Sequence, residues 1–164
     1  MIDFALEGKV AIVTGASRGL GRAAAVALVE QGASVLAVAR SREELEQLAA
    51  DHPGLVAIQT CDMQDRVAVA ALPQIAIDRF GRLDVVVNNA GIAPAGAFLD
   101  QSESEWDQVL AVNITAPAVL ARAAGKAHGK RASRRVHVRP AQAADLAQEG
   151  AGGMTQSGHN PNCR

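Results

Sequence analysis

The segment Thr14-Gly15-Ala16-Ser17-Arg18-Gly19-Leu20-Gly21 joins an apolar run to a helical one, and it narrows the possible folds more than any other feature. Before it, Val10-Ala11-Ile12-Val13 is short, apolar and rich in β-branched residues, as a strand buried on both faces would be. After it, Arg22 to Gln31 keeps small apolar residues on one helical face, and Gly32 stands where a C-terminal cap belongs. Between a strand and a helix each glycine has a physical task. Gly15 permits the tight turn off the strand, Gly19 lets the backbone approach a pyrophosphate, and Gly21 lets the helix pack closely on the sheet. The helix N-terminus adds free N–H groups and a partial positive charge. The spacing is GxxxGxG, and the alternative is a Gly-rich turn that holds no ligand.

The rest of the first 124 residues repeats the alternation. Ser34 to Val38, Leu55 to Gln59 and Leu83 to Asn88 read as strands. Ser41-Arg42-Glu43-Glu44 reads as a capping box opening a helix towards Ala50, and Asp65 to Phe80 as a helix closed by Gly81. A second capping box, Ser102-Glu103-Ser104-Glu105, opens a helix through Trp106, Leu110 and Val112. Pro117 is expected to kink this helix rather than end it, because Val119-Leu120 resume the apolar pattern. Strand and helix alternating four times predicts an α/β fold with right-handed crossovers about a parallel sheet over residues 8–124.

Past Ala124 the composition changes. Residues 1–124 carry nine Lys+Arg against fifteen Asp+Glu (−6), and residues 125–164 carry seven against two (+5), which sum to the chain's −1. Two units are expected: a domain at 1–124 and a basic tail at 125–164. The tail holds at most a fifth strand, Arg135-Val136-His137-Val138, and a short helix at 141–148, and is otherwise expected to be disordered. The abrupt change reads as a reading-frame slip in a GC-rich gene, or as a splice to unrelated sequence. No apolar run approaches the ~20 residues of a membrane helix, and the acidic start lacks the basic region of a secretory signal. Cys61 and Cys163 have neither metal nor redox spacing, so no metal site is expected and a reducing cytoplasm is.

TGASRGLG at 14–21 resembles the cofactor motif of the short-chain dehydrogenase/reductases. Cys61-Asp62-Met63 after the third strand, Asn88-Asn89-Ala90-Gly91 after the fourth, and Val112-Asn113 in the long helix follow in the family's order. The general look is that of its 3-oxoacyl-carrier-protein reductases and sugar dehydrogenases. The resemblance implies a Rossmann-type doubly wound parallel sheet, here incomplete at four to five strands, and a dinucleotide as partner. It implies that Gly15, Ser17, Arg18, Gly19, Leu20 and Gly21 hold the pyrophosphate. Asp62, with the backbone of Met63 beside it, would take the adenine amino group. Asn89, Ala90 and Gly91 would line the ribose side and steady the sheet. Without the family, Asp62 is a solvated strand-end carboxylate and Asn88-Asn89 ordinary turn chemistry.

The choice of cofactor follows from charge. An NAD site wants a carboxylate after the second strand to grip the ribose 2′-OH. Here Ala39-Arg40 stand there, with no acid before Glu43. Arg40 and Arg18 could flank a 2′-phosphate, so NADP(H) is expected over NAD(H); the alternative is that both are solvated surface residues.

The family's chemistry needs a tyrosine acid/base, a lysine four residues on that lowers its pKa, a serine upstream and an asparagine in the proton relay. Only the asparagine carries over, at Asn113, and it could equally be a helix residue bonding backbone. The chain has no tyrosine. Arg139-Pro140-Ala141 stand where the serine is due, Met154 and Gly158 where the tyrosine and lysine are due. Lys126 and Lys130 precede the expected fifth strand and cannot serve. His52, His128, His137 and His159 have no acid placed to orient them. The sequence therefore implies an NAD(P)(H)-dependent oxidoreductase by descent, inactive as it stands, whose alcohol or carbonyl substrate belongs to intact relatives. The alternatives are a non-catalytic nucleotide-binding fragment and a basic-tailed interaction module. The tail has no aromatics to stack on bases, which argues against nucleic acid. Much of the family's homo-oligomer interface is expected to be missing.

Overall fold

The computed structural model describes residues 6–96 and 98–128. The expected strand at 135–138, the helix at 141–148 and the rest of the tail beyond residue 128 lie outside the described residues. In chain order the elements are β1 (Val10–Thr14), α1 (Gly19–Glu30), β2 (Ser34–Ala39), α2 (Arg42–Asp51), β3 (Val56–Thr60), α3 (Arg66–Phe80) and β4 (Val85–Val87). A 3₁₀ turn (Phe98–Asp100), α4 (Glu103–Leu110), a π turn (Ala111–Thr115) and α5 (Ala116–His128) follow.

The strands form one parallel sheet in the order β3-β2-β1-β4. Ile12 of β1 lies level with Leu36 of β2 on one side and Val86 of β4 on the other. Alternate residues feed two separate cores, as the two-residue period of a strand requires. Val10, Ile12, Leu36, Val38 and Val86 face Val69, Leu72 and Ala76 of α3 and Ala116, Leu120 and Ala124 of α5. Ala11, Val13, Val35, Ala37 and Ala39 face Ala25 and Val29 of α1 and Leu45 and Leu48 of α2. A sheet covered on both faces explains why β1 and β2 read as continuous apolar runs rather than alternating ones. The fold is the Rossmann-type doubly wound sheet that the sequence implies.

The structure corrects several local expectations. α1 starts at Gly19, three residues ahead of Arg22, so the glycine loop runs straight into the helix. Ser41 does stand at the N-cap of α2, but its side chain makes no capping bond, so the predicted capping box there is not formed. The box at Ser102 is formed in full: its hydroxyl accepts from the Glu105 N–H, and the Glu105 carboxylate accepts from the Ser102 N–H. The Ser102 N–H, and then its hydroxyl, donate to the Glu105 carboxylate and hold it below the usual carboxylate range. β4 is three residues long rather than the six of Leu83 to Asn88, because polar groups close both its ends. The Asp84 carboxylate accepts from the Val10 N–H at 3.0 Å, and the Asn89 N–H turns back to the Val87 carbonyl at 3.1 Å. Pro73 sits buried inside α3 without ending it. The long helix is not simply kinked at Pro117. The Ala116 N–H reaches back five residues to the Ala111 carbonyl, and this π turn shifts the bonding register just before the proline that cannot donate. α5 then runs on through Ala124 to His128.

Candidate functional site: a cleft at the carboxyl ends of the strands

Because β1 is flanked by β2 and β4, the chain leaves β1 for α1 on one face and leaves β4 for the helices on the other. The loops after β1 and β4 therefore part, and a crevice opens above them. It is a cleft of about 430 Å³. Four stretches of chain wall it: Gly15, Ser17 and Arg18 after β1; Ala39, Arg40, Ser41 and Glu44 after β2; Cys61 to Gln64 after β3; and Asn89 to Ile92 after β4. Gln108 of α4 and Val112 of the π turn complete it.

The floor is built on Thr14, a buried residue at the last position of β1. Its hydroxyl accepts from the Asn89 and Ala90 N–H groups, each at 3.0 Å, and donates to the Val87 carbonyl at 3.3 Å. The Asn89 amide in turn donates to the Thr14 carbonyl at 3.0 Å and to the Gly15 carbonyl at 3.4 Å. The loops after β1 and β4 are thus tied together by side chains where the sheet's own ladder has run out. Asn88, one residue earlier, is equally buried, yet neither amide atom has a partner among the described residues.

The glycines fit this packing closely. Gly15 has φ +68°, and a Cβ there would stand 2.8 Å from the Asn89 amide nitrogen and 3.0 Å from the Ala90 Cα. Gly21 is buried, and a Cβ on it would overlap the Gly15 carbonyl oxygen and the Asn89 amide. Its closest packing is thus against the loop and Asn89. Gly19, also at positive φ, faces open space. Leu20 is exposed, and Gly19, Leu20 and Gly21 are not among the lining residues. The N-terminus of α1 has no side-chain cap and no acid in its first turn, so its N–H groups remain available to an anion.

Arg18 and Arg40 are exposed and stand on the walls after β1 and β2. Glu44, not Glu43, is the acid beside them. Across the cleft the Asp62 carboxylate accepts from the Gln64 N–H at 2.9 Å, which fixes the turn after β3. Met63 and Cys61 are buried at its base. Burial, and then the nearby Asp65 and Asp62, push the Cys61 thiol up, so it stays protonated at neutral pH. Asn113 does not line the cleft. It lies in the π turn, where its amide oxygen accepts from the Ile92 N–H at 2.9 Å and its nitrogen donates to the Ile92 carbonyl at 2.8 Å. Its side chain is therefore committed to holding the chain after Gly91.

The sequence gives no site role to Thr14, Ser41, Glu44, Gln64, Ile92 or Gln108. Thr14 stood inside the quoted motif, and a hydroxyl at the end of a buried apolar strand is itself a signal. Gln108 lies just after the helix start marked by the Ser102 box, but nothing in a single sequence says that this turn faces the cleft. Among the described residues no group of three or more His, Cys, Asp or Glu could hold a metal ion. No helix there is long and apolar enough to cross a membrane.

Residues 9–137 match the short chain dehydrogenase family, and the chain belongs to it. It is 38% identical over 131 residues to a D-threitol dehydrogenase of Mycolicibacterium smegmatis, covering 76% of this chain and 49% of that protein. It is 36% identical over 112 residues to a 3-oxoacyl-[acyl-carrier-protein] reductase of Thermotoga maritima, covering 66% and 46%. Among solved structures, a short-chain dehydrogenase from Streptomyces avermitilis superposes with a TM-score of 0.74 at 36% identity, over 84% of this chain and 50% of that one. A metagenomic short-chain oxidoreductase in complex with NADP gives 0.70 at 39% identity, over 76% and 58%. The chain spans about half the length of the curated relatives it matches. The family is one of oxidoreductases that bind a nicotinamide dinucleotide.

Proposed function

We propose that this chain binds NADP(H) in the cleft above β1 and β4, and that its 164 residues do not turn the cofactor over. The observation that carries the first half is the convergence of four separated segments on one cleft whose base leaves no room for a Cβ at Gly15 or Gly21. The α1 N-terminus and the Ser17-Arg18 backbone suit a pyrophosphate, Asp62 and Met63 an adenine, and Asn89 to Gly91 a ribose. Arg18 and Arg40 supply two cations for a 2′-phosphate, against the one carboxylate of Glu44 on that wall. The bound nicotinamide would supply the hydride; this chain's residues bind and orient it. The second half rests on composition: no tyrosine is present, so there is no Tyr-x-x-x-Lys to move the proton.

Titration with NADPH and NADH, followed by cofactor fluorescence and thermal midpoint together, tests the reading. NADPH is expected to bind more tightly and to raise the midpoint, and Arg40→Ala to weaken NADPH about tenfold while sparing NADH. Equal affinity for the two cofactors would remove the preference. Oxidation of NADPH with any member of a panel of carbonyl compounds would overturn the inactivity.

A further inference from the structure

Arg22 has its main chain in α1 and its side chain against α2. It follows Gly21 directly, and its N–H donates to the Arg18 carbonyl in the first turn of α1. Its guanidinium crosses to α2, donating to the Glu44 carbonyl at 3.1 Å and to the Asp51 carboxylate at 3.0 Å. Glu44 and Asp51 are seven residues apart, two helical turns, so both acceptors lie on a single face of α2. Among the described residues these are the only side-chain hydrogen bonds between α1 and α2.

The end of β2 just before Arg40 is held by the Ala16 N–H on the Val38 carbonyl at 3.1 Å and the Cys61 N–H on the Ala39 carbonyl at 3.0 Å; the first turn of α2 beyond it depends on other contacts. Leu45 and Leu48 bury its inner face, which is non-directional packing, and Ser41 makes no capping bond. Yet this first turn, with Arg40 before it, is the wall that carries Arg40, Ser41 and Glu44 into the cleft. The opposite wall carries Arg18, four residues before Arg22. A planar guanidinium forking between a carbonyl and a carboxylate fixes direction as well as distance, which a lysine ammonium does not.

From these contacts we infer that Arg22 is a positioning residue for cofactor selection. By clamping α2 to α1 it sets the separation of Arg18 from Arg40, and through that separation the preference for a 2′-phosphate. Arg22 touches no ligand in this reading, which rests on the NADP(H) site proposed above. Its consequence is selective: loosening α2 removes the pairing of the two cations and leaves the pyrophosphate and adenine contacts in place.

The experiment is cofactor titration of Arg22→Met and Arg22→Lys beside the unmodified chain, with Glu46→Gln as the control. Among the described residues Glu46 pairs only with Arg42, on the outer face of the same helix. Arg22→Met is expected to reduce the ratio of NADPH to NADH affinity about fivefold, with NADH affinity held within about twofold, and Glu46→Gln to leave the ratio unchanged. Arg22→Lys, which keeps a charge without the fork, is expected to fall between. Equal weakening of both cofactors, or an unchanged ratio in a folded Arg22→Met chain, would overturn the inference. If Arg22→Met does not fold, the Arg22→Lys ratio decides alone. If the unmodified chain binds neither cofactor, the proposed function fails first, and amide hydrogen exchange then tests the clamp. Faster exchange in α2 of Arg22→Lys, with α3 unchanged, supports it; identical α2 exchange refutes it.

Discussion

Replacing Thr14 by valine removes a hydroxyl from the floor of the cleft and keeps the side chain's shape. In the structure that hydroxyl accepts two backbone N–H groups, those of Asn89 and Ala90, and donates weakly at 3.3 Å to Val87. The Asn89 N–H has a second acceptor in the Val87 carbonyl at 3.1 Å, so it is not orphaned. Among the described residues the Ala90 N–H has no other hydrogen-bond acceptor, and an unpaired donor out of water costs about 1–3 kcal/mol, here reduced by its part-buried place. The net loss should therefore be about 2 kcal/mol, or a fall in thermal midpoint of roughly 5–10 °C for a domain of this size. Thr14→Ser is the counterpart: it keeps the hydroxyl and loses one methyl, worth ~0.8 kcal/mol. Urea unfolding of the three proteins, with slopes compared so that only midpoint changes are read as stability, separates the two contributions. The valine protein should be the less stable variant. A serine protein as damaged as the valine one, or a valine protein within ~0.5 kcal/mol of the parent, would show that the methyl's packing matters and the hydroxyl's bonds do not.

Gly21→Ala forces a methyl against the Gly15 carbonyl; the overlap costs ~1–3 kcal/mol and the helix regains up to ~1, so urea unfolding should show a net loss of about 1–2 kcal/mol and NADPH affinity should fall more than about tenfold. Burial alone would push the Asp84 carboxyl up, but the combined pull of Arg82, the Val10 N–H and Lys9 holds it below the usual range. Its stabilising contribution is therefore present above the ordinary carboxylate pKa of ~4 and is lost as pH falls through the lower folded value. Asp84→Asn should lower stability at neutral pH and flatten the acid limb of a pH–stability curve, and an unchanged limb would sink that assignment. Asn88→Leu should raise stability by about 1 kcal/mol in urea unfolding, because it replaces a buried amide that has no partner among the described residues; a loss of stability would show that the amide is in use.

Much of the fold was legible because the sheet is buried on both faces. Val10 to Val13 and Ser34 to Val38 could hardly be anything but central parallel strands, and the Gly15–Gly21 loop between β1 and α1 fixes which end of the sheet carries a ligand. What was not legible is where side chains replace backbone. β4 reads as six residues and forms three, because Asp84 and Asn89 close it with bonds that no periodicity encodes. Ser41 has the pattern of a capping box and makes no such bond, whereas Ser102, with the same pattern, does. The Asp62 and Asn89 positions follow from motif order, but their bonds to Gln64 and Thr14 follow only from coordinates.

Two asparagines near the cleft, Asn89 and Asn113, give its wall its shape. The Asn89 amide bonds the carbonyls of Thr14 and Gly15, and both ends of the Asn113 amide are consumed by the backbone of Ile92. The Asn113 amide has both ends spent and the Asn89 amide has its nitrogen spent, so each fixes the backbone that lines the cleft. Gly91 lies between these two ties, and a Cβ there would meet the Asn113 oxygen at 3.4 Å. The stretch from Asn89 to Ile92 is thus pinned from β1 on one side and from the π turn on the other. That rigidity is what a binding wall needs: backbone ordered before the ligand arrives need not be ordered at the ligand's expense. It also explains why the cleft's form does not depend on a tyrosine or a lysine. The bonds that shape it run between β1, the chain after β4 and the π turn.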